Sequence, residues 1–576
     1  MKKWLFYVGQ YKNSTLFTLV GVATEVIIDI LIPRTMANII DKGIGDGNMD
    51  IVTKTGLTLI LMCLCSLLSG VLTGHFAAKA SAGFAKNLRR EIFYQIQGFS
   101  FAKIDKFSTS SLITRLTTDV STVQNSFQMI IRTCVRSPLM IIFSMTMVFS
   151  INKQLAWIFV GVLPVLIIGL AIIMTKANPI FSRVFKMYDN LNRVVEENLH
   201  GIRVVKSYVG EESQIEKFEE ASGDLYNNFV SAEKILAFNN PLMQFSMYTC
   251  TLLICWLGAK AIVSRTLTTG QLISLLAYST QILISLMILS MVFVSITMSK
   301  ASMERISEIL NEENDIINGS VTKLKDGSIV FKNVSFGYGG KDKNSFLQNI
   351  DINIKSGQTV GIIGGTGSGK SSLIQLIPRL YDATEGEVIV GGVNVKDYDV
   401  EFLRHDVSVV LQKNLLFSGT IRDNLKWGNK NATDKEIEEA CELAQANEFI
   451  KNFPDKYDTW LEQGGNNLSG GQKQRLCLAR ALLKKAKILI LDDSTSAVDT
   501  NIEALIRQAF KEKISNTTKI IIAQRISSIQ EADQIIVMEN GEISAVGSHN
   551  DLLETNSIYQ EVYNSQQKGG LANETF

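Results

Sequence analysis

The chain lacks a surplus of charge of either sign: 57 Lys and Arg stand against 56 Asp and Glu over 576 residues, a formal net charge of +1. That balance gives no support to nucleic acid as a partner, which a basic surplus would attract. The seven cysteines lack paired metal-ligand spacing. Cys63 and Cys65 alternate within one apolar run, Cys134, Cys250 and Cys255 lie in others, and Cys441 and Cys477 fall in a more polar part, so buried, reduced thiols are expected. No small-residue cleavage site follows Lys2, Lys3 and the first apolar run, so no cleavable signal peptide is expected. Internal repeats and long low-complexity segments are missing too.

What the chain has is two unlike parts. Apolar segments near 15–33, 56–77, 128–150, 155–175, 242–263 and 271–297 each approach the ~20 residues a helix needs to cross a bilayer. The connections after the second and fourth segments are long, polar and helix-like. Lys86, Arg89, Arg90, Lys103, Lys106 and Arg115 crowd the first, and Arg183, Lys186, Arg193, Arg203, Lys206 and Lys217 the second. The positive-inside rule puts both, with the N-terminus, in the cytoplasm. An even number of spans then returns the chain to the cytoplasm.

Residues 311–327, rich in Asn, Glu, Asp, Gly and Ser, read as a linker between residues 1–310 and a second domain, 328–565. There, β-type runs such as Ser328-Ile-Val-Phe-Lys-Asn-Val-Ser335 alternate with helical stretches, which argues for a parallel-sheet nucleotide-binding domain. Residues 566–576 read as a disordered tail.

Gly364-Gly365-Thr366-Gly367-Ser368-Gly369-Lys370-Ser371 fits the phosphate-loop pattern, between an apolar run (359–363) and a helical stretch (371–380). Its glycines let backbone N–H groups converge on phosphates at a helix N-terminus. Lys370 would reach the β- and γ-phosphates and Ser371 would hold Mg2+. A second apolar run, Lys487-Ile-Leu-Ile-Leu-Asp-Asp493, carries Asp492 to a strand edge as a further metal ligand.

With Leu468-Ser469-Gly470-Gly471-Gln472 added, residues 328–565 resemble an ABC (ATP-binding cassette) nucleotide-binding domain, with its motifs in family order. The resemblance implies ATP and Mg2+ as cofactors. It implies an adenine-stacking role for Tyr338, phosphate contact by Ser372 beside the loop, and a metal-touching relay for Gln412. It implies that Leu468 to Gln472 cap ATP on a second chain, and that Asp499, in Ser496-Ala-Val-Asp499, links the two sites. The first half resembles the six-span membrane region of ABC exporters of the half-transporter type. Glu196-Glu-Asn-Leu-His-Gly-Ile-Arg-Val-Val-Lys-Ser-Tyr208 resembles the second cytoplasmic coupling segment, and Ser108 to Asp119 occupies the place of the first.

Two positions depart from the family. The residue after the metal-binding Asp is normally Glu, and a later switch residue is normally His; here they are Asp493 and Gln524. Asp493 is one methylene short, and a misplacement near 1 Å can cost on the order of 10²-fold. Gln524 hydrogen-bonds but cannot carry a proton as His does. The expectation is weak hydrolysis at this chain's own site and a second, competent half-transporter as partner, as in the degenerate-site subunits of heterodimeric bacterial multidrug exporters. The cargo would be small hydrophobic or amphipathic compounds, and the location a bacterial inner membrane. A homodimeric lipid or peptide exporter remains an alternative, as does a nucleotide-gated, channel-like protein; no peptidase-like domain precedes the first span.

Within the membrane half, Glu25 and Asp29 share one helix face in the first apolar segment and are candidates for substrate contact, or for pairing with a neighbouring helix. Arg132 and Arg136 are expected at the cytoplasmic start of the third span, facing a cavity or snorkelling toward headgroups.

Overall fold

The computed structural model describes Trp4 and residues 6–338, 346–493 and 498–573, without the side chains of 178, 181, 182, 185, 186, 189, 298, 500 and 568–573. The Lys186 side chain of the second basic connection and Ser496 of the Asp499 motif thus lie outside what is described. The chain forms two compact units, Met1–Gln97 with Thr109–Glu312, and Gly98–Ser108 with Glu313–Phe576.

The first unit is helical: α1 (Lys12–Asn38), α2 (Met49–Gln97), α3 (Val120–Ile151), α4 (Lys153–His200), α5 (Glu211–Leu236), α6 (Asn239–Val263) and α7 (Thr269–Asn311). Among the described residues six helical stretches are long and apolar enough to cross a membrane, and the six apolar segments read from the sequence fall on them. Leu57, Ile60, Leu61, Leu64, Leu68 and Val71 of α2 are exposed at helical spacing, the face a lipid solvent would cover. The buried core lies between Val22, Val26 and Ile30 of α1, Met140 and Val148 of α3, and Leu275, Tyr278 and Ile282 of α7. Prolines 33, 138, 164 and 179 sit inside these helices; the carbonyl that Pro33 frees, at Asp29, accepts from Gln281 Nε2 over 3.2 Å, while Ser274 Oγ donates to Pro33 O and Tyr278 Oη to Ile30 O, each over 2.7 Å.

Three expectations are corrected here. Cys63, Cys65 and Cys255 are exposed rather than buried, on apolar helices whose outer surface needs no polar residues; Cys250, Cys441 and Cys477 are buried. The segment Gly98–Ser108 packs into the second unit, so residues 1–310 are not one unbroken unit, whereas Thr109 to Asp119 of the expected first coupling segment stay together in the first. The physical reason is charge pairing: Asp119, almost fully buried, accepts from Ser302 (2.8 Å) and from the Arg305 guanidinium of α7 (2.8 Å), tying residues 115–119 to the membrane unit. Finally, helix α10 (Ser557–Asn573) continues through most of the expected tail; residues 574–576 lie outside the described residues.

In the second unit a six-stranded sheet is built from β1 (Thr359–Gly364), β2 (Val407–Val410), β3 (Ile488–Asp492), β4 (Thr518–Ile522), β5 (Gln534–Glu539) and β6 (Glu542–Gly547), in the order β6-β5-β1-β4-β3-β2. All pairs are parallel except β5–β6. Every residue of β3 and β4 is buried, as expected of a parallel sheet covered on both faces. A four-stranded antiparallel sheet joins Ile329–Phe336 with Leu347–Ile354 and Glu385–Val390, the last pairing with Val393–Asn394. Helices α8 (Lys370–Leu376) and α9 (Gly470–Leu483) complete the parts the site needs.

Candidate nucleotide site

Strand β1 ends at Gly364 and α8 begins at Lys370, so the five residues between them turn the chain at the C-terminal edge of the sheet, where open α/β sheets bind ligands. Gly369 takes φ +93, and a Cβ there would lie 2.6 Å from Leu347 Cδ2, so only glycine fits. Gly365 and Gly367 have nothing within 4 Å of a would-be Cβ: the cradle is open on the side where phosphates would lie. Lys370 Nζ lies along the loop, donating to Gly364 O (3.0 Å), Gly365 O (2.7 Å) and Ser368 Oγ (3.3 Å). Burial lowers its pKa, with Asp492 and Asp493 opposing.

The parallel pairing of β3 with β4 aligns Asp492 with Ile522 and carries the Asp492 carboxyl to the same edge. Ser371 Oγ donates to Asp492 Oδ1 over 3.1 Å. Burial raises the Asp492 pKa; the Ser371 hydrogen bond pulls it down and the nearby Asp493 pushes it up. A serine hydroxyl and a buried carboxylate in contact form the hard oxygen pair that suits Mg2+, which takes further ligands from phosphate and water. The donor set therefore fits the metal.

Asp493 follows in the left-handed region, φ 48, a conformation Asp tolerates better than most residues. Its Oδ2 accepts from Gln524 Nε2 over 2.6 Å, and the Gln412 amide lies near enough to act on the same carboxylate. Burial raises its pKa, while the Gln524 and Gln412 amides lower it. The structure thus brings Gln412, Asp493 and Gln524 together beside Asp492 and Ser371. Tyr338 reaches the next residue of α8: its hydroxyl is 2.9 Å from Ser372 Oγ, and its ring sits edge-on to Phe336 and Tyr381.

Two motifs sit apart from this cluster. Ser469 caps α9, accepting from Gln472 N over 3.3 Å while Gln472 Oε1 accepts from Ser469 N over 2.9 Å. Leu468 is buried and anchors the turn, whereas Ser469 and Gly470 are exposed at the helix N-terminus with Gly471 behind them. Asp499 precedes the helix Thr500–Lys513, its carbonyl accepting from Glu503 N over 2.9 Å.

In the membrane unit, Glu25 and Asp29 converge on one guanidinium. Arg136 Nη2 is 2.8 Å from Asp29 Oδ2, and its Nε is 3.3 Å from Glu25 Oε1. Ser66 of α2 donates to Asp29 Oδ1 over 2.9 Å, and Gln281 of α7 to the Asp29 carbonyl over 3.2 Å. Of the readings left open for Glu25 and Asp29, pairing with a neighbouring helix is the one these contacts show, and Arg136 faces both carboxylates. Sequence spacing showed their shared face but could not show a partner 107 residues further along the chain.

Comparison with known proteins agrees with this architecture. Residues 14–287 match the ABC transporter transmembrane region and residues 347–496 the ABC transporter ATPase family. The chain is 37% identical over 567 residues to the uncharacterized ABC transporter ATP-binding protein YfiB of Bacillus subtilis, covering 98% of each. It is 32% identical to the uncharacterized ABC transporter ATP-binding protein YknU of the same organism, covering 98% of this chain and 97% of that protein. In fold it is similar to a bacterial Atm1-family ABC exporter with ATP bound, at a TM-score of 0.81 and 23% identity, over 96% of this chain and 97% of that one.

Proposed function

The chain belongs to the ABC transporter family, its membrane region and ATPase domain fused in one polypeptide, and from that premise we propose that it is the weak-site subunit of a heterodimeric exporter. The observation that carries this reading is the hydrogen bond between Gln524 and Asp493. The two residues that depart from the family pattern satisfy each other, so neither presents a free base or a proton-carrying switch.

In hydrolysis, water attacks the γ-phosphorus, the bond to the bridging oxygen breaks, and the water proton passes to an acceptor. Mg2+ held by Ser371 and Asp492 with the phosphates would neutralise charge on the transferring group. Lys370 would leave the loop carbonyls for the phosphates. Asp493 is short and held by the Gln524 amide, so this site binds ATP and turns it over slowly. Ser469 and Gly470, exposed at the N-terminus of α9 with Gly471 behind them, would turn the Ser469 hydroxyl and the first backbone N–H groups of the helix toward ATP on the partner's phosphate loop. Asp499 would connect the two sites. Val204, Tyr208 and Val209 at the tip of the second basic connection are largely exposed, as a surface that seats on a second chain would be.

The domain would face the cytoplasm of a bacterial-type cell, and ATP-driven closure would favour an outward-open cavity by binding the closed state better. Cargo would be hydrophobic or amphipathic compounds, a multidrug profile. Glu25, Asp29 and Arg136 sum to one negative charge, and Glu25 Oε2 is buried with no hydrogen-bond partner; that surplus favours cationic cargo. The test is ATP turnover of the chain in lipid, alone and with its candidate partner. Little activity alone and rescue by the partner support the reading; full activity alone means a working homodimer and overturns it.

A further inference from the structure

Beyond β4 the sheet no longer pairs with the chain: Ala523 N still donates to Ile362 O over 3.2 Å, and two residues on the loop needs other partners. One side chain supplies them. Gln566 of α10 donates from Nε2 to the Gln524 carbonyl over 2.8 Å and accepts at Oε1 from Ile526 N over 2.9 Å. A single amide thus bridges both backbone groups flanking residue 525, as a neighbouring strand would.

The helix that presents this amide is fixed. Tyr559, seven residues earlier and hence on the same face, is completely buried, and its hydroxyl lies 2.7 Å from His549 Nδ1. Gln566 itself is exposed, so its hydrogen bonds compete with water and the fold does not depend on them. What depends on them is the direction of Gln524, whose side chain leaves the clasped backbone for Asp493.

We propose that Gln566 is a positioning residue for the nucleotide site: by clasping the loop at Gln524 and Ile526, the C-terminal helix sets where the Gln524 amide points. The inference rests on the nucleotide site but not on the heterodimer. It places control of the switch loop in a segment whose sequence reads as a tail.

The test is the residence time of labelled ATP with Mg2+ on the full chain in nanodiscs, which requires no hydrolysis. Gln566→Ala shortens it on the order of tenfold, the worth of about one net hydrogen bond, with the thermal midpoint unchanged. Gln566→Glu, which keeps the acceptor and loses the donor, falls between. Gln524→Ala shortens residence by itself, and adding Gln566→Ala produces no further loss, because the second residue acts through the first. A wild-type residence time in Gln566→Ala, or effects that add in the double variant, overturns the clasp. Lys370→Ala is the control: undiminished ATP retention there overturns the site reading and the clasp with it. Loss there beside a silent Gln566→Ala overturns the clasp alone.

Discussion

Gln524 Nε2 and Asp493 Oδ2 lie 2.6 Å apart, and the carboxylate that follows Asp492 has two glutamines beside it, 412 and 524. The Gln524 N–H opposes, without cancelling, the rise in pKa that burial gives this carboxylate, and the short hydrogen bond leaves it little freedom to reach a water. The weakness expected of the site therefore comes from the pair, not from the shorter side chain alone.

Restoring the family residues should release that hold. Asp493→Glu with Gln524→His is expected to raise turnover at this chain's own phosphate loop by about 10²- to 10⁴-fold, the range a positioned general base supplies. Asp493→Glu alone should recover less, because Gln524 still binds the carboxylate. Phosphate release in lipid, with the partner's own site inactivated, measures the gain. No gain in the double variant would mean that the limit lies elsewhere in the site.

Burial raises Asp492 and Asp493 above the ordinary aspartate range, and the sign of the pH effect differs with and without nucleotide. The folded nucleotide-free domain holds these protons better than the unfolded chain does. Their contribution to stability is thus present at acid pH and lost as pH rises through the raised values. Mg2+ binding needs Asp492 ionised, so protection by ATP with Mg2+ is expected to disappear as pH falls through that same window. Thermal melts across pH, with and without ATP and Mg2+, should show opposite slopes. Asp492→Asn should flatten the metal-dependent one; an unchanged slope in that variant would assign the effect to another group.

The sequence displayed what repeats locally. Six apolar runs and a glycine-rich turn between strand and helix depend on nearest neighbours, so their positions were legible, as were Lys370, Ser371 and Asp492. Pairings across the fold were not. Nothing in the segment around Arg136 marks Glu25 and Asp29 as its counter-ions. Gln566 lies in Asn564-Ser-Gln-Gln-Lys-Gly-Gly570, which has no apolar period; its helix is anchored from Tyr559. The segment 101–107 misled for the same reason, since Tyr381, which binds it, comes far later in the chain.

That contact can be measured. Tyr381 Oη donates to Asp105 Oδ2 over 2.6 Å, and the Tyr381 and Phe101 rings are 6.0 Å apart. Burial, then the Asp105 hydrogen bond, pushes the Tyr381 pKa up, so the hydroxyl stays a donor at working pH. Tyr381→Phe keeps the ring and removes one hydrogen bond of about 1 to 1.5 kcal/mol. Backbone amides of Phe101–Phe107 are then expected to exchange roughly 5- to 12-fold faster if they open locally. Equal exchange rates would show that ring packing alone retains the helix.

The membrane cluster makes a different demand, because its carboxylates are largely withdrawn from solvent. Glu25 and Asp29 are 14% and 19% exposed, against 33% for Arg136. Removing the shared cation strands two carboxylates, and breaking such a pair from one side costs about 3 to 5 kcal/mol. Arg136→Gln is therefore expected to lower the thermal midpoint markedly. Glu25→Gln and Asp29→Asn in the same chain should restore most of it, since three neutral amides can hydrogen-bond one another. Glu25→Gln alone neutralises the carboxylate with the unpartnered oxygen and leaves the shorter Asp29–Arg136 pair intact. It should cost little stability, yet slow efflux of monocationic amphipaths relative to neutral ones in proteoliposomes. Equal slowing of both classes would make the cluster a brace between α1, α2 and α3 rather than a selector of charge.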